Sequence, residues 1–392
     1  VDLVKFQSRR LKSGWEKNLG LVVGVFANSA DSTFPFRCPE VLSSNKGRDM
    51  SKLSLDDAMT RALELALKGP ITGVNPQVGA VILNAEGELI GEGYHKGSGT
   101  NHAEVDAINA ALNGESKLPK GSTAIVTLEP CNHTGKTGPC AQALIEAGVS
   151  KVVFASSDPG DQSSGGAETL RNAGVEVVSG FHADKADQQS RVWLTAAKNK
   201  RPFVTLKWAS TVDGRAAAQD GSSKWISGEE SRQDAHRRRS EVDAIMVGTG
   251  TALIDDPELT ARKPDGSLYE QQPLRVVLGE RELPAELRVF NNDAETVTLK
   301  TQSIHGALSE LYEKGIKHVL VEGGPTLASR FVQMDLVDEF VIYLAPKLLG
   351  GDKLAIGSID VPSIQEAKDL EFVEVKNLGS DIQIIAKPLG RH

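Results

Sequence analysis

The sequence predicts a two-domain α/β protein in which strands and helices alternate along most of the chain. Three observations favour this class. The chain has 392 residues, which is enough for two cores of ordinary size. From Ser54 onward, short runs rich in Val, Ile and Leu alternate with amphipathic segments, as they do in layered α/β sheets. A basic connector, KNKRP, ends at Pro202 and separates two such series, so it predicts the domain boundary.

The first series opens with a helix signal. Ser54 and Asp57 form a capping box ahead of an amphipathic segment, and Gly69 is placed to end the helix. Periodicity and turn residues then place the later elements. In chain order these are strands at 78–83 and 89–93, a helix at 102–112, a strand at 123–128, a helix at 140–147, a strand at 151–156, a helix and a strand within 168–180, and one long polar helix at 183–198.

The second series follows the connector and again mixes strands with helical segments. Its predicted strands lie at 203–210, 244–247, 274–278, 318–321 and 340–344. The two domains are therefore predicted to span residues 51–198 and 199–392. Residues 1–50 are basic or Ser-rich and lack sustained periodicity, so we expect a flexible or non-catalytic extension there.

Composition excludes several classes of function. The 44 Lys and Arg residues against 52 Asp and Glu residues give a net charge of −8, which provides no general attraction to nucleic acid or anionic membrane. No apolar run approaches the length of a transmembrane helix. Three cysteines cannot form a disulfide framework, which predicts a reducing, cytoplasmic environment.

Two of the three cysteines lie in the stretch LEPCNHTGKTGPC. Cys131 follows a predicted strand and Cys140 opens the next helix, while His102 opens an earlier helix. One imidazole and two thiolates suit Zn²⁺, and three protein ligands leave a fourth position for a water whose pKa the metal lowers towards ~7. Glu104, two residues after His102, can act as general acid/base beside the metal. This H-x-E and P-C arrangement is typical of zinc nucleobase deaminases.

Two alternatives stay open from the residues alone. The cysteines can be ordinary buried thiols, with His102 a histidine at a helix start. A purely structural zinc site is the second alternative, and it requires a fourth protein ligand, for which His133 is the nearby candidate.

The spacing between the two cysteines points to one family. Eight residues, NHTGKTGP, separate them, where the general deaminase pattern has two. The pattern P-C-x-H-x-G-x-T-x-P-C is matched by Pro130, Cys131, His133, Gly135, Thr137, Pro139 and Cys140. With NPQVGAVI, GEGYHKG and HAEVDAI, this segment resembles the bifunctional riboflavin biosynthesis protein family, over residues 51–389. The resemblance implies a cytidine-deaminase-like three-layer α/β/α domain followed by a dihydrofolate-reductase-like α/β domain.

The loop between the cysteines is predicted to bind the substrate. It brings a cation, an imidazole and glycines beside the metal, which suits a phosphorylated ribose. Lys136 is predicted to contact phosphate, His133 the pyrimidine or the phosphate, and Asn75 the base or ribose. Each can instead be a solvated loop or turn residue. After Asp158 and Pro159 the sequence departs from the D-P-N-P of the family, so no substrate role is assigned to that loop.

In the second series, Gly323 and Gly324 lie between a strand and a helix. Glycines let a phosphate approach the backbone, and a helix N-terminus supplies N–H donors, which suits a nicotinamide dinucleotide. A plain strand-to-helix turn is the alternative. The family resemblance implies cofactor contacts at Ala209, Trp225, Thr251, Asp255, Gly324, Pro325, Thr326, Leu327, Ala328, Ser329 and Arg330. It implies substrate contacts at Ser223, Arg239, Leu259, Arg262 and Glu322.

Asp213 and the run 278–280 are also expected to belong to the second site. Asp213 is predicted to shape the site near the sugar. Leu278, Gly279 and Glu280 stand where the family more often has I-D-S, so a cofactor contact is expected to be lost or rearranged there.

The resemblance implies an enzyme with two activities in riboflavin biosynthesis. With one Zn²⁺ per chain it would deaminate a phosphorylated diaminopyrimidine, and with NADPH it would reduce the ribosyl chain to ribityl; a homo-oligomer is expected. Two alternatives are a tRNA or nucleoside deaminase with an unrelated C-terminal domain, and a non-catalytic module stabilised by zinc.

Overall fold

The structure, a computed structural model, describes residues 52–133, 138–161 and 163–390. The extension predicted over residues 1–50 lies outside the described residues. The described residues form one sheet of five strands and one of eight. We call the elements around the five-stranded sheet the N-terminal domain and those around the eight-stranded sheet the C-terminal domain.

The N-terminal domain follows the predicted order of elements. Its helices and strands are α1 (Leu55–Ala66), β1 (Gly79–Leu83), β2 (Leu89–Tyr94), α2 (Ala103–Leu112), β3 (Thr123–Leu128), α3 (Cys140–Ala147), β4 (Lys151–Ser156), α4 (Gly166–Asn172), β5 (Glu176–Val178), α5 (Ala183–Gln189) and α6 (Arg191–Asn199). The strand order is β2-β1-β3-β4-β5. Strand β1 is antiparallel to both of its neighbours, and β3, β4 and β5 run parallel.

Helices cover both faces of this sheet, which gives the predicted three layers. Side chains of a strand alternate between the two faces. Ala80 and Ile82 therefore join the core formed with α2, α3 and α4, whereas Val81 and Leu83 join the core formed with α1 and α5. Burial on both faces explains why β1 is apolar throughout its length.

Two local predictions in this domain need correction. Ser54 caps α1 by accepting a hydrogen bond from Asp57 N, as predicted, but the helix ends at Ala66, before Gly69. The single helix predicted at 183–198 is wrong. The chain leaves the helical conformation at Ser190, where φ is −96° and ψ is 12°, and a separate helix, α6, starts at Arg191. Ser is a modest helix former, and polar periodicity alone does not reveal such a break.

The C-terminal domain contains α7 (Glu229–Arg239), α8 (Thr249–Asp255), α9 (Ile304–Glu313) and α10 (Pro325–Gln333). Its strands are β6 (Phe203–Thr211), β7 (Ala244–Gly248), β8 (Leu274–Leu278), β9 (Thr296–Leu299), β10 (His318–Val321), β11 (Glu339–Ala345), β12 (Leu370–Leu378) and β13 (Asp381–Pro388). The strand order is β12-β13-β11-β6-β10-β7-β8-β9. The six strands from β11 to β9 run parallel, and β13 and β12 add an antiparallel edge.

The core of this domain lies mainly between the parallel strands and helices α9 and α10. On the other face, Ile245, Val247 and Val277 pack against Ala252 of α8 and Leu259. The carboxyl ends of parallel strands meet at one edge of a sheet, where sites form in α/β proteins. Across the part of the chain that the structure describes, no helix has both the length and the apolar character needed to cross a membrane.

Candidate active site

Three metal-ligand side chains meet at one edge of the N-terminal sheet. His102 is the N-cap residue of α2, Cys131 follows β3, and Cys140 is the first residue of α3. His102 Nδ1 lies 3.2 Å from Cys140 Sγ and 3.5 Å from Cys131 Sγ. The three ligand atoms all lie within 4.8 Å of one another. The fold therefore brings together the histidine and the two cysteines that the sequence singled out.

The donor set fits zinc. Tetrahedral Zn–N and Zn–S bonds of about 2.0 and 2.3 Å place neighbouring N and S ligand atoms about 3.5 Å apart, which the observed separations approach. Among the described residues, this cluster is the only group of three or more His, Cys, Asp or Glu side chains close enough to hold a metal, and His133 is not part of it. Three protein ligands with an open fourth position are typical of catalytic rather than structural zinc.

The two thiols do not ionise alike. The side chain of Cys140, the backbone N–H of Cys140 and His102 all stabilise a thiolate at Cys131, and they lower the pKa of Cys131 to about 4. The hydrogen bond between the two cysteine side chains, together with burial, raises the pKa of Cys140. Hydrogen bonding to Cys131 raises the pKa of His102 against the opposing effect of burial. A cation bound by all three groups must displace the proton that Cys140 keeps.

Glu104 lies beside the cluster in the first turn of α2. Its side chain is only 5% exposed and lines the same cavity as His102 and Cys131. Burial raises the pKa of Glu104 to about 7. The carboxyl group is thus adjacent to the ligands without belonging to the ligand set.

The cavity in front of the cluster has a volume of about 120 Å³ and includes Asn75 and His95 in its wall. His95 Nδ1 lies 3.1 Å from the carbonyl oxygen of Asn101, so this nitrogen must carry the proton and donate it. His95 Nε2 is then the acceptor for Asn75 Nδ2 at 2.9 Å. Burial lowers the pKa of His95, which favours this neutral form. The amide nitrogen of Asn75 is thereby fixed, and its oxygen remains to accept a hydrogen bond from a ligand.

His133 also lines the cavity. Its Nδ1 is buried and has no hydrogen-bond partner among the described residues. A buried polar nitrogen without a partner is costly, and a bound molecule can supply the missing partner. Lys136, the predicted phosphate contact, lies outside the described residues.

Besides His95, the polar or aromatic residues of the wall that were not predicted are Glu129, Asp158, Ser163 and Trp193. Glu129 carries a weak sequence signal because it precedes the Pro-Cys pair, and its carboxylate accepts hydrogen bonds from the backbone N–H groups of Ala167 and Asp158. Burial raises the pKa of Asp158. Trp193 has no local signal, since α6 brings it to the cavity from a distant part of the chain.

In the C-terminal domain, the structure brings several of the predicted substrate residues together. Arg239 donates two hydrogen bonds to Glu322, of 2.7 and 2.9 Å, and a third to the carbonyl oxygen of Thr260. Arg262 Nε lies 3.1 Å from Thr260 Oγ1, and Leu259 precedes it with a left-handed φ of 56°. Burial alone would raise the pKa of Glu322, but Arg239 and Lys207 hold it below its ordinary range.

Some of the predicted cofactor residues form a second group, around the start of α10. Gly324 is the N-cap residue of α10, and its N–H donates to Thr251 Oγ1 at 3.0 Å. Residues 325–330 form the first part of that helix. Trp225 is 66% exposed, with the Arg232 guanidinium 4.6 Å from its ring centroid. Within the described ranges, no side-chain hydrogen bond joins Ser223, Ala209, Trp225 or Asp255 to the two groups.

Asp213 acts on the backbone around this edge of the sheet. Its carboxylate accepts hydrogen bonds from the Thr211 hydroxyl and from Leu349 N and Gly350 N. A larger apolar cavity, of about 340 Å³, lies between Trp208, Phe340 and the segment after α10. It contains none of the predicted site residues, and we assign the chemistry to the two sites above.

Two family models match the chain. The model for the cytidine and deoxycytidylate deaminase zinc-binding region matches residues 53–156. The model for the RibD C-terminal domain matches residues 202–384. The first match includes all three metal-ligand residues and the second includes the Arg239–Glu322 cluster.

Relatives match nearly their whole length. The riboflavin biosynthesis protein RibD of Mycobacterium tuberculosis (strain ATCC 25618 / H37Rv) is 46% identical over 332 residues, which cover 84% of this chain and 96% of the relative. RibD of Escherichia coli (strain K12) is 37% identical over 361 residues, covering 83% and 96%. The crystal structure of a diaminohydroxyphosphoribosylaminopyrimidine deaminase/5-amino-6-(5-phosphoribosylamino)uracil reductase from Thermotoga maritima superimposes with a TM-score of 0.73 at 35% identity, covering 85% and 98%.

The fold and the site together define a two-domain enzyme in which a zinc-binding deaminase domain precedes a reductase domain. The chain belongs to the RibD family of riboflavin biosynthesis proteins, and it is a bifunctional enzyme with deaminase and reductase activities.

Proposed function

We propose that the N-terminal domain hydrolytically deaminates 2,5-diamino-6-ribosylamino-4(3H)-pyrimidinone 5′-phosphate. We further propose that the C-terminal domain then reduces the ribosyl chain to ribityl with NADPH. The observation that carries the proposal is the His102, Cys131 and Cys140 cluster, which opens on a cavity that also contains Glu104. The activity named for the Thermotoga maritima relative supports this choice of substrate.

In the deamination, the oxygen of water forms a bond to the amino-bearing ring carbon, the C–N bond breaks, and ammonia leaves. His102, Cys131 and Cys140 would hold one Zn²⁺, which would supply Lewis acidity and make water available as a nucleophile near neutral pH. Glu104 accepts a proton from the attacking water at its carboxylate and returns it to the leaving amino group. Its burial beside the ligand set, on the first turn of α2, supports this role.

Other side chains of the cavity wall and of the loop between the cysteines bind the base and its phosphate. Asn75 offers its side-chain oxygen to an N–H of the pyrimidine, because His95 already holds its amide nitrogen. His133 Nδ1 binds the pyrimidine or the phosphate, and its lack of a partner supports this. We assign the phosphate contact to Lys136 from the sequence alone.

For the reduction, NADPH supplies the hydride to the substrate when it is bound. The N-terminus of α10 offers backbone N–H groups and a partial positive charge to the cofactor phosphates, with Gly324 anchored on Thr251. The contacts assigned from the family are Ala209, Trp225, Asp255 and residues 325–330. NADPH is assigned from the family.

The reductase substrate meets Glu322, Arg239, Arg262, Leu259 and Ser223. The structure supports a refinement of the sequence prediction for Arg239, whose guanidinium is occupied by Glu322 and Thr260. We infer that Arg239 keeps Glu322 ionised and oriented, so that this carboxylate can accept hydrogen bonds from hydroxyls of the ribosyl chain.

We also infer a cytoplasmic homo-oligomer whose two catalytic domains divide at residues 198 and 199. The small number of cysteines supports a reducing compartment.

The test supplies purified protein with the diaminopyrimidine phosphate. Ammonia release alone is expected without NADPH, and the ribitylamino product is expected with it. Glu104→Gln should abolish ammonia release while zinc content and the reduction of deaminated substrate persist. Ammonia release at the normal rate in Glu104→Gln would refute the general acid/base role, and none from the unaltered enzyme would refute the substrate.

A further inference from the structure

The segment 70–77 joins α1 to β1 and carries Asn75 into the deaminase cavity. It has no regular secondary structure, so its position depends on contacts with other elements. Gly73 lies two residues before Asn75, and its backbone N–H donates a hydrogen bond of 2.6 Å to Asp243 Oδ1. Asp243 belongs to the C-terminal domain, where it immediately precedes β7.

The carboxylate of Asp243 is itself held by the C-terminal backbone. Its Oδ2 accepts hydrogen bonds of 2.8 Å from both Lys317 N and His318 N, at the start of β10. One side chain thus joins the start of two neighbouring parallel strands to the loop of the other domain. A carboxylate that accepts three backbone N–H groups has little freedom to move, so the position of Gly73 follows that of β7 and β10.

Trp193 provides a second anchor on the next residue of the loop. Its indole Nε1 donates to the carbonyl oxygen of Val74 at 3.0 Å, and its ring lines the cavity. Trp193 lies on α6, and the first residue of that helix, Arg191, pairs with Glu339 of β11. Both anchors therefore connect the loop to the C-terminal sheet.

The C-terminal domain also packs directly against the 70–77 segment. Gly315, in the turn before β10, has a left-handed φ of 89°, and a Cβ built on it would lie 2.6 Å from Val74 Cγ1. Any side chain at this position would push Val74 away. The backbone of the C-terminal domain thus sits directly against the residue that precedes Asn75.

We propose that Asp243 and Trp193 are positioning residues of the deaminase site, through which the C-terminal domain sets the affinity of the N-terminal domain for its substrate. The inference rests on the proposed function, because it takes Asn75 as a residue that reads the substrate. The metal ligands and Glu104 lie at the start of α2, at the start of α3 and after β3, and within the described residues no side-chain hydrogen bond joins either anchor to these elements. Loosening the loop therefore raises KM for deamination and leaves kcat and zinc content near their normal values.

The test measures ammonia release as a function of substrate concentration in Asp243→Ala and Trp193→Phe. Each variant is expected to raise KM about 5- to 10-fold, the effect of losing one hydrogen bond that holds a binding group, with kcat within about twofold. Asp243→Asn keeps one side-chain acceptor and is expected to lie between Asp243→Ala and the unaltered enzyme. Zinc stoichiometry is measured on every variant and is expected to stay at one per chain.

Asp338→Ala is the matched control. Asp338 Oδ2 accepts a hydrogen bond from Val204 N at 2.8 Å, so it caps β6 much as Asp243 caps β10, and it pairs with Arg201. Among the contacts of the described residues, none joins Asp338 to the 70–77 segment. The control should lower the Tm comparably while the deaminase KM stays unchanged. An equal rise of KM in Asp338→Ala would overturn the proposal, because general loss of stability would then account for the effect.

A double variant tests the route through Asn75. Asn75→Ala alone should raise KM, and adding Asp243→Ala should raise it little further, since the group that Asp243 positions is already absent. Independent, multiplying effects would overturn the proposal. If Asn75→Ala raises KM but Asp243→Ala and Trp193→Phe do not, this inference fails and the proposed function stands. Absence of ammonia from the unaltered enzyme overturns both.

Discussion

Protonation of His318 should make the C-terminal domain sensitive to acid. His318 is the first residue of β10, and its ring is half-buried against Phe203, with ring centroids 5.4 Å apart. Burial lowers the pKa of His318 to about 3, and the nearby Arg191 and Arg238 add to this effect. The Thr205 hydroxyl lies 2.8 Å from Nε2, where it can donate to the neutral ring.

The direction of the pH effect follows from which state binds the proton first. The ordinary histidine pKa is 6.5, so between pH 6.5 and about 3 the unfolded chain is protonated at His318 while the folded chain is not. Above pH 6.5 the ring is neutral in both states, and the free energy of unfolding has its full value. As pH falls from 6.5 towards 3, the unfolded chain binds a proton that the folded chain does not, so the free energy of unfolding decreases. At pH 5 the difference of about 1.5 pH units corresponds to about 2 kcal/mol, and partial exposure of the ring reduces this to roughly 1–2 kcal/mol.

Calorimetry at pH 8 and pH 5 tests this expectation on the full chain. Replacing His318 by Gln removes the titrating group, so the fall in Tm of the C-terminal transition between the two pH values should shrink by about 2–8 °C. His305→Gln, at an exposed position of α9, is the control and should leave the fall unchanged. The test compares the fall in Tm between the two pH values and not the Tm itself, because Gln alters the hydrogen bond to Thr205 at every pH. An unchanged pH dependence in His318→Gln would refute the reasoning.

Three other variants test separate parts of the structure. Cys140→Ser should lose most of its zinc by metal analysis and its ammonia release, while reduction of deaminated substrate persists; retained stoichiometric zinc would contradict the ligand set. Gly93→Ala should destabilise the N-terminal domain by about 3 kcal/mol or more in urea titrations, because the new Cβ would lie 2.3 Å from the carbonyl oxygen of Ala103. A loss within about 0.5 kcal/mol would contradict this, because it would show that α2 can shift freely. Tyr343→Phe removes a buried hydrogen bond of 2.6 Å to Asp234 and should cost about 1–3 kcal/mol of unfolding free energy, whereas no loss would mean that Asp234 finds full compensation from its arginine neighbours.

Elements set by local periodicity and capping were predictable from the sequence. Ser54 accepts the hydrogen bond that its capping box predicts, and the all-buried strand β1 has the apolar run typical of a sheet covered on both faces. The ligand cluster was predictable for a similar reason. His102 and Cys140 lie at helix starts and Cys131 follows a strand, so short sequence motifs were enough to predict their places in the fold.

Contacts between distant parts of the chain were not predictable in this way. Trp193 reaches Val74 across 119 positions, and Asp243 reaches Gly73 across 170. No motif or periodicity links such residues, because their proximity is created by tertiary packing, within the N-terminal domain for Trp193 and between the two domains for Asp243. The break at Ser190 was likewise not predictable, and the helix that follows it carries Arg191, which pairs with Glu339, and Trp193, which lines the cavity.

The pairing of Arg239 with Glu322 shows a different limit. The family resemblance assigned both residues to the substrate as separate contacts. The structure makes them one hydrogen-bonded unit with Lys207. Replacing Arg239 leaves the buried Glu322 with Lys207 as its one cationic partner in this unit, and replacing Glu322 leaves two cations without their carboxylate. Loss of activity on replacing Arg239 is therefore no evidence by itself that Arg239 contacts the substrate.

The loop after β4 departs from its family in sequence, yet the structure explains how it can still support the metal site. Ser163 O accepts a hydrogen bond of 2.8 Å from Asn132 N, the residue after Cys131. A Cβ built on Gly166 would lie 1.8 Å from the carbonyl oxygen of Pro130, so this glycine lets the loop approach the backbone that precedes the ligand. The loop thus acts on the cysteine through main-chain contacts, which many side-chain sequences can make. Gly166 is the exception, and we expect it to tolerate substitution least of the residues in this loop.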